Sequence, residues 1–165
     1  MNRMNARAFA SMERKKGSHD LWMEAALAEA RLAEQADEVP VGAVVIGADG
    51  TLLGRGQNRV IRDNDPTAHA EIIALRAAGL SMGNYRLEHC MIYATLEPCA
   101  MCAGAMIHAR VERLIFGATD PKAGAAGSAL QVLNHPQLNH RIAVSGGVMA
   151  EECRALLREF FQARR

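Results

Sequence analysis

Apolar and polar positions follow two different periods along this chain, and the switches between them outline its elements. From Asp20 to about Ala36, Trp22, Ala26, Leu27, Ala30 and Ala33 recur at helical spacing. This is the stripe of a helix packed on one side, with Asp20 able to cap it. Val39 to Ile46 is apolar and β-branched, Asp49-Gly50 is a turn pair, and Leu52 to Arg59 reads as the returning strand of a hairpin, with Asn58 near its end. The polar run Asp63-Asn64-Asp65-Pro66-Thr67 predicts a loop. A helix is predicted from about Ala68 to Ala78 and a loop from Gly79 to Arg86, followed by a buried strand from Cys90 to Thr95. Pro98 opens the next helix, to about Ala109, with proline in its first turn, and Val111 to Gly117 is a further strand. The Gly- and Ala-rich stretch Gly117 to Ser128 is a long loop of a kind that often carries function. A short strand at Ile142 to Ser145, broken by Gly146-Gly147, precedes a last helix from about Ala150 to Arg164.

Strands alternating with helices argue for an α/β layered sheet. A chain of 165 residues suits one domain, and at this size it can bury roughly 70% of its unfolded surface without disulfides. We place that domain at 20–165. Residues 1–19, with Arg3, Arg7, Arg14, Lys15 and Lys16, lack the apolar core of a secretory signal. They read as a flexible extension, with a transit peptide as the alternative. No run reaches the eighteen or so apolar residues of a membrane span. A net charge of only +1 excludes a global basic field, so any nucleic-acid contact must come from a local patch. Four cysteines in a chain of this length do not suggest a secreted framework. A reducing compartment, the cytoplasm, is expected.

The chemistry concentrates at Pro98-Cys99-Ala100-Met101-Cys102 and His69-Ala70-Glu71. Cysteines three apart on a helix sit about 60° apart around its axis, so two thiolates can grip one soft metal ion from one side. His69 offers a third ligand, leaving a fourth position for water, which is the catalytic rather than the closed structural arrangement of zinc. Glu71 is then a carboxylate placed to move that water's protons. Residues two apart on a helix point roughly 200° apart, so His69 and Glu71 converge only if the metal lies beyond the helix's N-terminal end. A redox dithiol would leave His69 and Glu71 unexplained. A closed structural site would need a fourth ligand, and His108, nine residues beyond Cys99, lies about 180° around the helix. Cys90 and Cys153 are expected to be buried free thiols. Asn134, His135 and His140 are potential base or phosphate contacts. H-x-E paired with P-C-x-x-C is the signature of zinc-dependent nucleobase deaminases.

At these motifs the sequence resembles the cytidine deaminase-like superfamily, and most closely its tRNA-acting adenosine deaminases. The stretches that carry the likeness are 38–44, 65–71, 96–108, 124–128 and 139–141. The resemblance implies a three-layer α/β/α fold with a mixed five-stranded sheet flanked by helices, and a homodimer. It implies one zinc ion per subunit on His69, Cys99 and Cys102, with Glu71 as the catalytic proton shuttle. The implied reaction is hydrolytic deamination of adenosine to inosine at the wobble position of a tRNA anticodon stem-loop. A free nucleobase or nucleoside deaminase on the same scaffold is the alternative. By the same resemblance Asn58 hydrogen-bonds the base, Val41 and Leu96 pack on it, and the backbone at Ala70 helps hold it. Asn58 also reads simply as a residue ending a strand. Phe160 and Phe161 among Arg154, Arg158, Arg164 and Arg165 resemble the family's RNA-facing C-terminal helix. Phe160 suits the core and Phe161 the substrate, with Lys122, His135 and Arg141 as further phosphate contacts.

Overall fold

The computed structural model describes residues 18–165. Element order is α1 (Ser18–Gln35), β1 (Gly42–Ile46), β2 (Leu52–Gln57), α2 (Val60–Asp63), α3 (Ala70–Met82), β3 (Met91–Leu96), α4 (Ala100–His108), β4 (Arg113–Ala118), β5 (Ala143–Ser145) and α5 (Ala150–Gln162). The strands form one sheet in the order β2-β1-β3-β4-β5. β1 runs antiparallel to both β2 and β3, whereas β3, β4 and β5 are mutually parallel. The mixed five-stranded sheet flanked by helices is therefore present.

The alternation of side chains along each strand divides the core in two. Val45, Ile92, Ala94 and Leu114 face α3 and α4, with Ala74, Leu75, Cys102 and Met106 packed on them. Val44, Ile46, Tyr93 and Ile115 face the opposite way, where Met23, Ala26 and Leu27 of α1 and Cys153 of α5 cover them. The sheet is thus the middle of three layers, and a strand central to such a stack is apolar on both faces. β1 is buried along its whole length.

Two glycines bring α3 against β2. Gly54 and Gly56 occupy the same face of the strand, and a Cβ there would lie 2.3 Å from the Ala74 carbonyl oxygen and 2.0 Å from that of Ala70. The helix backbone rests directly on the strand, which holds the N-terminal end of α3 beside the end of β2. At the other end of the hairpin the pairing slips between Val45 and Ile46, where Ile46 faces Leu52 and Val45 faces Gly54. This bulge leaves Leu53 as an extra residue.

Several boundaries differ from those the residue pattern predicts. α1 starts at Ser18, so Asp20 lies inside its first turn rather than capping it. Ser18 and His19 accordingly belong to the helix rather than to the expected extension, while residues 1–17 lie outside the described part. Val60–Asp63, between the predicted strand and the body of the predicted loop, is a short helix closed by Asn64 in the left-handed region, φ 48. α3 passes through Gly79 and stops at Gly83, φ 62. Pro98 stands outside α4, which begins at Ala100 with Cys99 as its N-cap.

Candidate active site

Three chain segments end at one edge of the sheet. Antiparallel pairing sets the start of β1 beside the ends of β2 and β3, with Gly42 opposite Gln57 and Ala43 opposite Ala94. Val41 and Asn58 flank those strands and are joined to each other, Asn58 N–H donating to the Val41 carbonyl at 3.1 Å. The helices α3 and α4 begin at the same edge. His69 and Cys99 are their N-caps, both in extended backbone, with φ/ψ of −72/153 and −72/174.

This explains how His69 and Glu71 converge. Only Glu71 is helical, and the extended backbone of His69 swings its ring back across the helix end. His69 Nδ1 lies 3.6 Å from Cys99 Sγ and 3.5 Å from Cys102 Sγ. The three ligand atoms all lie within 4.8 Å of one another, the one such His/Cys/Asp/Glu cluster among the described residues. Nitrogen and sulfur ligands of one tetrahedral zinc ion are separated by about 3.6 Å, given bond lengths near 2.0 and 2.3 Å. The donor set and its spacing therefore fit such an ion, and soft thiolates with imidazole suit zinc above the hard cations.

Acidities in the cluster are strongly divided. Hydrogen bonding to Cys102, and after it to His69, holds the Cys99 thiol down to about 3. The Cys102 thiol is driven far up by its pairing with Cys99, by burial and by the nearby Glu71 charge. His69 is raised chiefly by its hydrogen bond to Cys99. Glu71 is 3% exposed, and burial pushes its carboxyl above the usual range. A buried carboxyl whose proton affinity is raised is the kind of group general acid–base work uses.

Around these groups lies a pocket of about 230 Å³, lined by Val39, Val41, Asn58, His69, Ala70, Glu71, Leu96, Glu97, Cys99, Asp120 and Ala123. Cys102 is fully buried beneath it. Asn58, Val41, Ala70 and Leu96 thus share one pocket with Glu71 and the ligand cluster. Lys122, His135, Arg141 and Phe161 do not line it. Lys122 is exposed between the lining residues Asp120 and Ala123. His135 and Arg141 are exposed on the segment before β5, and Phe161 is half-exposed on α5. His140, predicted as a base or phosphate contact, instead joins its Nε2 to the Val111 carbonyl at 2.7 Å. A larger groove of about 970 Å³ between α3 and α4 holds Arg76 and His108 among mostly apolar residues but no acid–base or ligand cluster.

Glu97 is the lining residue that motif reasoning overlooks. It is 2% exposed and accepts hydrogen bonds from the Asp120, Ala126 and Ser128 amides and the Ser128 hydroxyl. Burial alone would raise its carboxyl, but these bonds, led by Ser128, outweigh burial and hold it below its usual range. An ionisable residue wedged between an apolar strand and a proline is itself a readable signal.

The family model for MafB19-like deaminases matches residues 17–165. A tRNA-specific adenosine deaminase of Haemophilus influenzae is 50% identical over 143 residues, covering 87% of this chain and 83% of the relative. A solved structure from work on A-to-I editing by tRNA:A34 deaminases at the wobble position of transfer RNA superposes with a TM-score of 0.79 at 45% identity, covering 82% of this chain and 98% of that one. A guanine deaminase from Nitrosomonas europaea superposes with a TM-score of 0.75 at 25% identity, covering 97% and 93%.

Proposed function

This chain belongs to the MafB19-like deaminase family, and from that premise we propose that it is a zinc-dependent hydrolase converting adenosine to inosine at the wobble position of a tRNA anticodon. The observation that carries the reaction class is Glu71, a buried carboxyl with a raised proton affinity beside a three-ligand cluster that leaves one position open. The substrate rests on the 50% identity to the H. influenzae enzyme, because a free-base deaminase would share every ligand.

Zinc held by His69, Cys99 and Cys102 would supply a Lewis acid and lower the pKa of its water towards about 7. Two thiolates and a neutral imidazole cancel the charge of a divalent ion, so much of the rate enhancement falls to Glu71 and to positioning. Glu71 takes the attacking water's two protons in turn, delivering the first to the ring nitrogen and the second, released from the new hydroxyl as it becomes a carbonyl, to the departing amine. A carbon–oxygen bond forms at the carbon bearing the amino group, its carbon–nitrogen bond breaks, and ammonia leaves. Asn58 hydrogen-bonds the base edge, Val41 and Leu96 pack against its faces, and the Ala70 backbone fixes its orientation. The base must be unstacked to enter so small a pocket, which suits the single strand of an anticodon loop.

Phe161, Lys122, His135 and Arg141 would contact the stem-loop outside the pocket. A cytoplasmic homodimer is the state in which the enzyme would act. The groove between α3 and α4 supports the pairing, since Leu80 at 85% and Tyr85 at 72% exposure offer apolar area for a second copy to cover. Among the described residues no helix is long and apolar enough to cross a membrane.

The test is incubation with an anticodon stem-loop carrying adenosine at the wobble position. Inosine is the expected product. Ammonia from free guanine, cytosine or cytidine, with the stem-loop untouched, would transfer the assignment to a free-base or nucleoside deaminase.

A further inference from the structure

We propose that Glu97 is a positioning residue for the deamination reaction, a buried latch that sets the 120–128 loop as one wall of the substrate pocket. This rests on the reading of that pocket as the place where the base binds. The loop contributes Asp120 and Ala123 to the lining that also includes Asn58 and Glu71. Its one fully buried apolar side chain is Ala125, so packing alone does little to fix its course.

Hydrogen bonds fix it instead. Glu97 Oε1 accepts from the Ala126 and Ser128 amides at 3.1 and 3.0 Å. Oε2 accepts from the Asp120 amide at 3.0 Å and from the Ser128 hydroxyl. The neighbouring Pro98 carbonyl accepts a further bond from Ala125 at 2.8 Å. All four partners of the carboxylate are donors, and only an ionised carboxyl accepts at every position. Glutamine would turn an NH2 group against N–H or O–H donors and leave buried groups unpaired, the costly case. The loop sequence accommodates the latch: a Cβ on Gly124 would lie 2.4 Å from Glu97 Cδ, so any side chain there would push the carboxylate out. Glu97 also stands two residues before the ligand Cys99, so one short segment places both the ligand and the wall.

The experiment compares the zinc-loaded wild type with Glu97→Gln and Ser128→Ala on the wobble-adenosine stem-loop. It reads KM, kcat, zinc content and amide hydrogen exchange at Ala126 and Ser128. We expect Glu97→Gln to retain zinc, to speed exchange at both amides about tenfold or more, and to raise KM about tenfold with kcat within about threefold, since a misplaced wall loses binding. Ser128→Ala, which removes one bond of four, should move KM and exchange the same way by about threefold. A lower melting temperature with unchanged KM would make Glu97 merely structural and overturn the proposal. So would a fall in kcat with KM and exchange unchanged, which would place Glu97 in the chemistry. If Glu97→Gln does not fold, Ser128→Ala decides by the same readings. A wild type that makes no inosine would sink the functional reading and the catalytic role of the latch with it. Unchanged amide exchange beside an active wild type would sink the latch alone.

Discussion

His69 and Cys99 occupy the same position in two different helices. Each is the N-cap, each has φ −72, and their side chains meet at 3.6 Å. The ligand cluster is therefore a meeting of two helix ends, and the partial positive charge of such ends favours the thiolates and the Glu71 carboxylate gathered there. Glu71 stands in the first turn of α3, beside the cluster rather than in it.

From this geometry the metal and the proton shuttle separate by mutation. Glu71→Ala should keep one zinc per chain and lose activity by about a thousandfold, the scale of a general acid–base contribution. Cys99→Ala and His69→Ala should lose both zinc and activity. Metal analysis alongside single-turnover assays checks this, and zinc lost together with Glu71 would contradict the role assigned to it.

Removing the metal should expose one thiol of unusual reactivity. After chelation at pH 7, Cys99, held down to about 3, should react first with a disulfide-exchange reagent. Cys90 and Cys153, both buried and pushed up to about 11, should stay slow until the protein unfolds. Mass mapping of the first labelled site decides the matter, and early labelling at Cys153 would refute it.

The contact between β2 and α3 makes two glycines opposite in effect. Gly56→Ala would drive a methyl group to within 2.0 Å of the Ala70 carbonyl oxygen, at a cost of about 3 kcal/mol in urea unfolding. Gly79→Ala, inside α3 with its nearest neighbour at 3.5 Å, should stabilise by about 0.5–1 kcal/mol through the unfolded chain. Equal effects at the two positions would show that α3 does not rest on β2 as described.

Adjacent phenylalanines on α5 should likewise part company. Phe160 is 4% exposed beneath Arg164, whereas Phe161 is 49% exposed. Phe160→Ala should destabilise by about 3–4 kcal/mol. Phe161→Ala should leave stability within about 0.5 kcal/mol and weaken stem-loop binding, measured by titration of a labelled RNA. Unchanged RNA affinity in Phe161→Ala would remove that residue from the interface.

Much of the site was legible before the fold, because ligand spacing is a local property. Cys99 and Cys102 share a helical turn, and His69 and Glu71 lie two residues apart. What stayed hidden depended on backbone states that residue type does not set. His69 is extended, so its angle to Glu71 cannot be counted around a helix axis. Gly79 looks like a stop signal, yet α3 runs on for one more turn through the exposed Leu80, Ser81 and Met82, and the left-handed cap falls at Gly83. Val60–Asp63 sits before a run of polar residues and proline that masks a single helical turn. Val39, Asp120 and Ala123 join the pocket only through tertiary proximity. Glu97 was visible beside the motif, but its partners lie 23 to 31 residues further on.

The bulge at Val45/Ile46 gives the hairpin two independent ends. Beyond it, the turn at Gly47–Thr51 lies the full five residues of β1 from the pocket, roughly 17 Å. Changes of length at that tip need not disturb the facing of Gly54 and Gly56, because the slip lies between tip and helix. The turn is therefore the natural attachment point for a fluorescent reporter or an affinity tag. A chain labelled there should keep both its seat for α3 and its access to RNA.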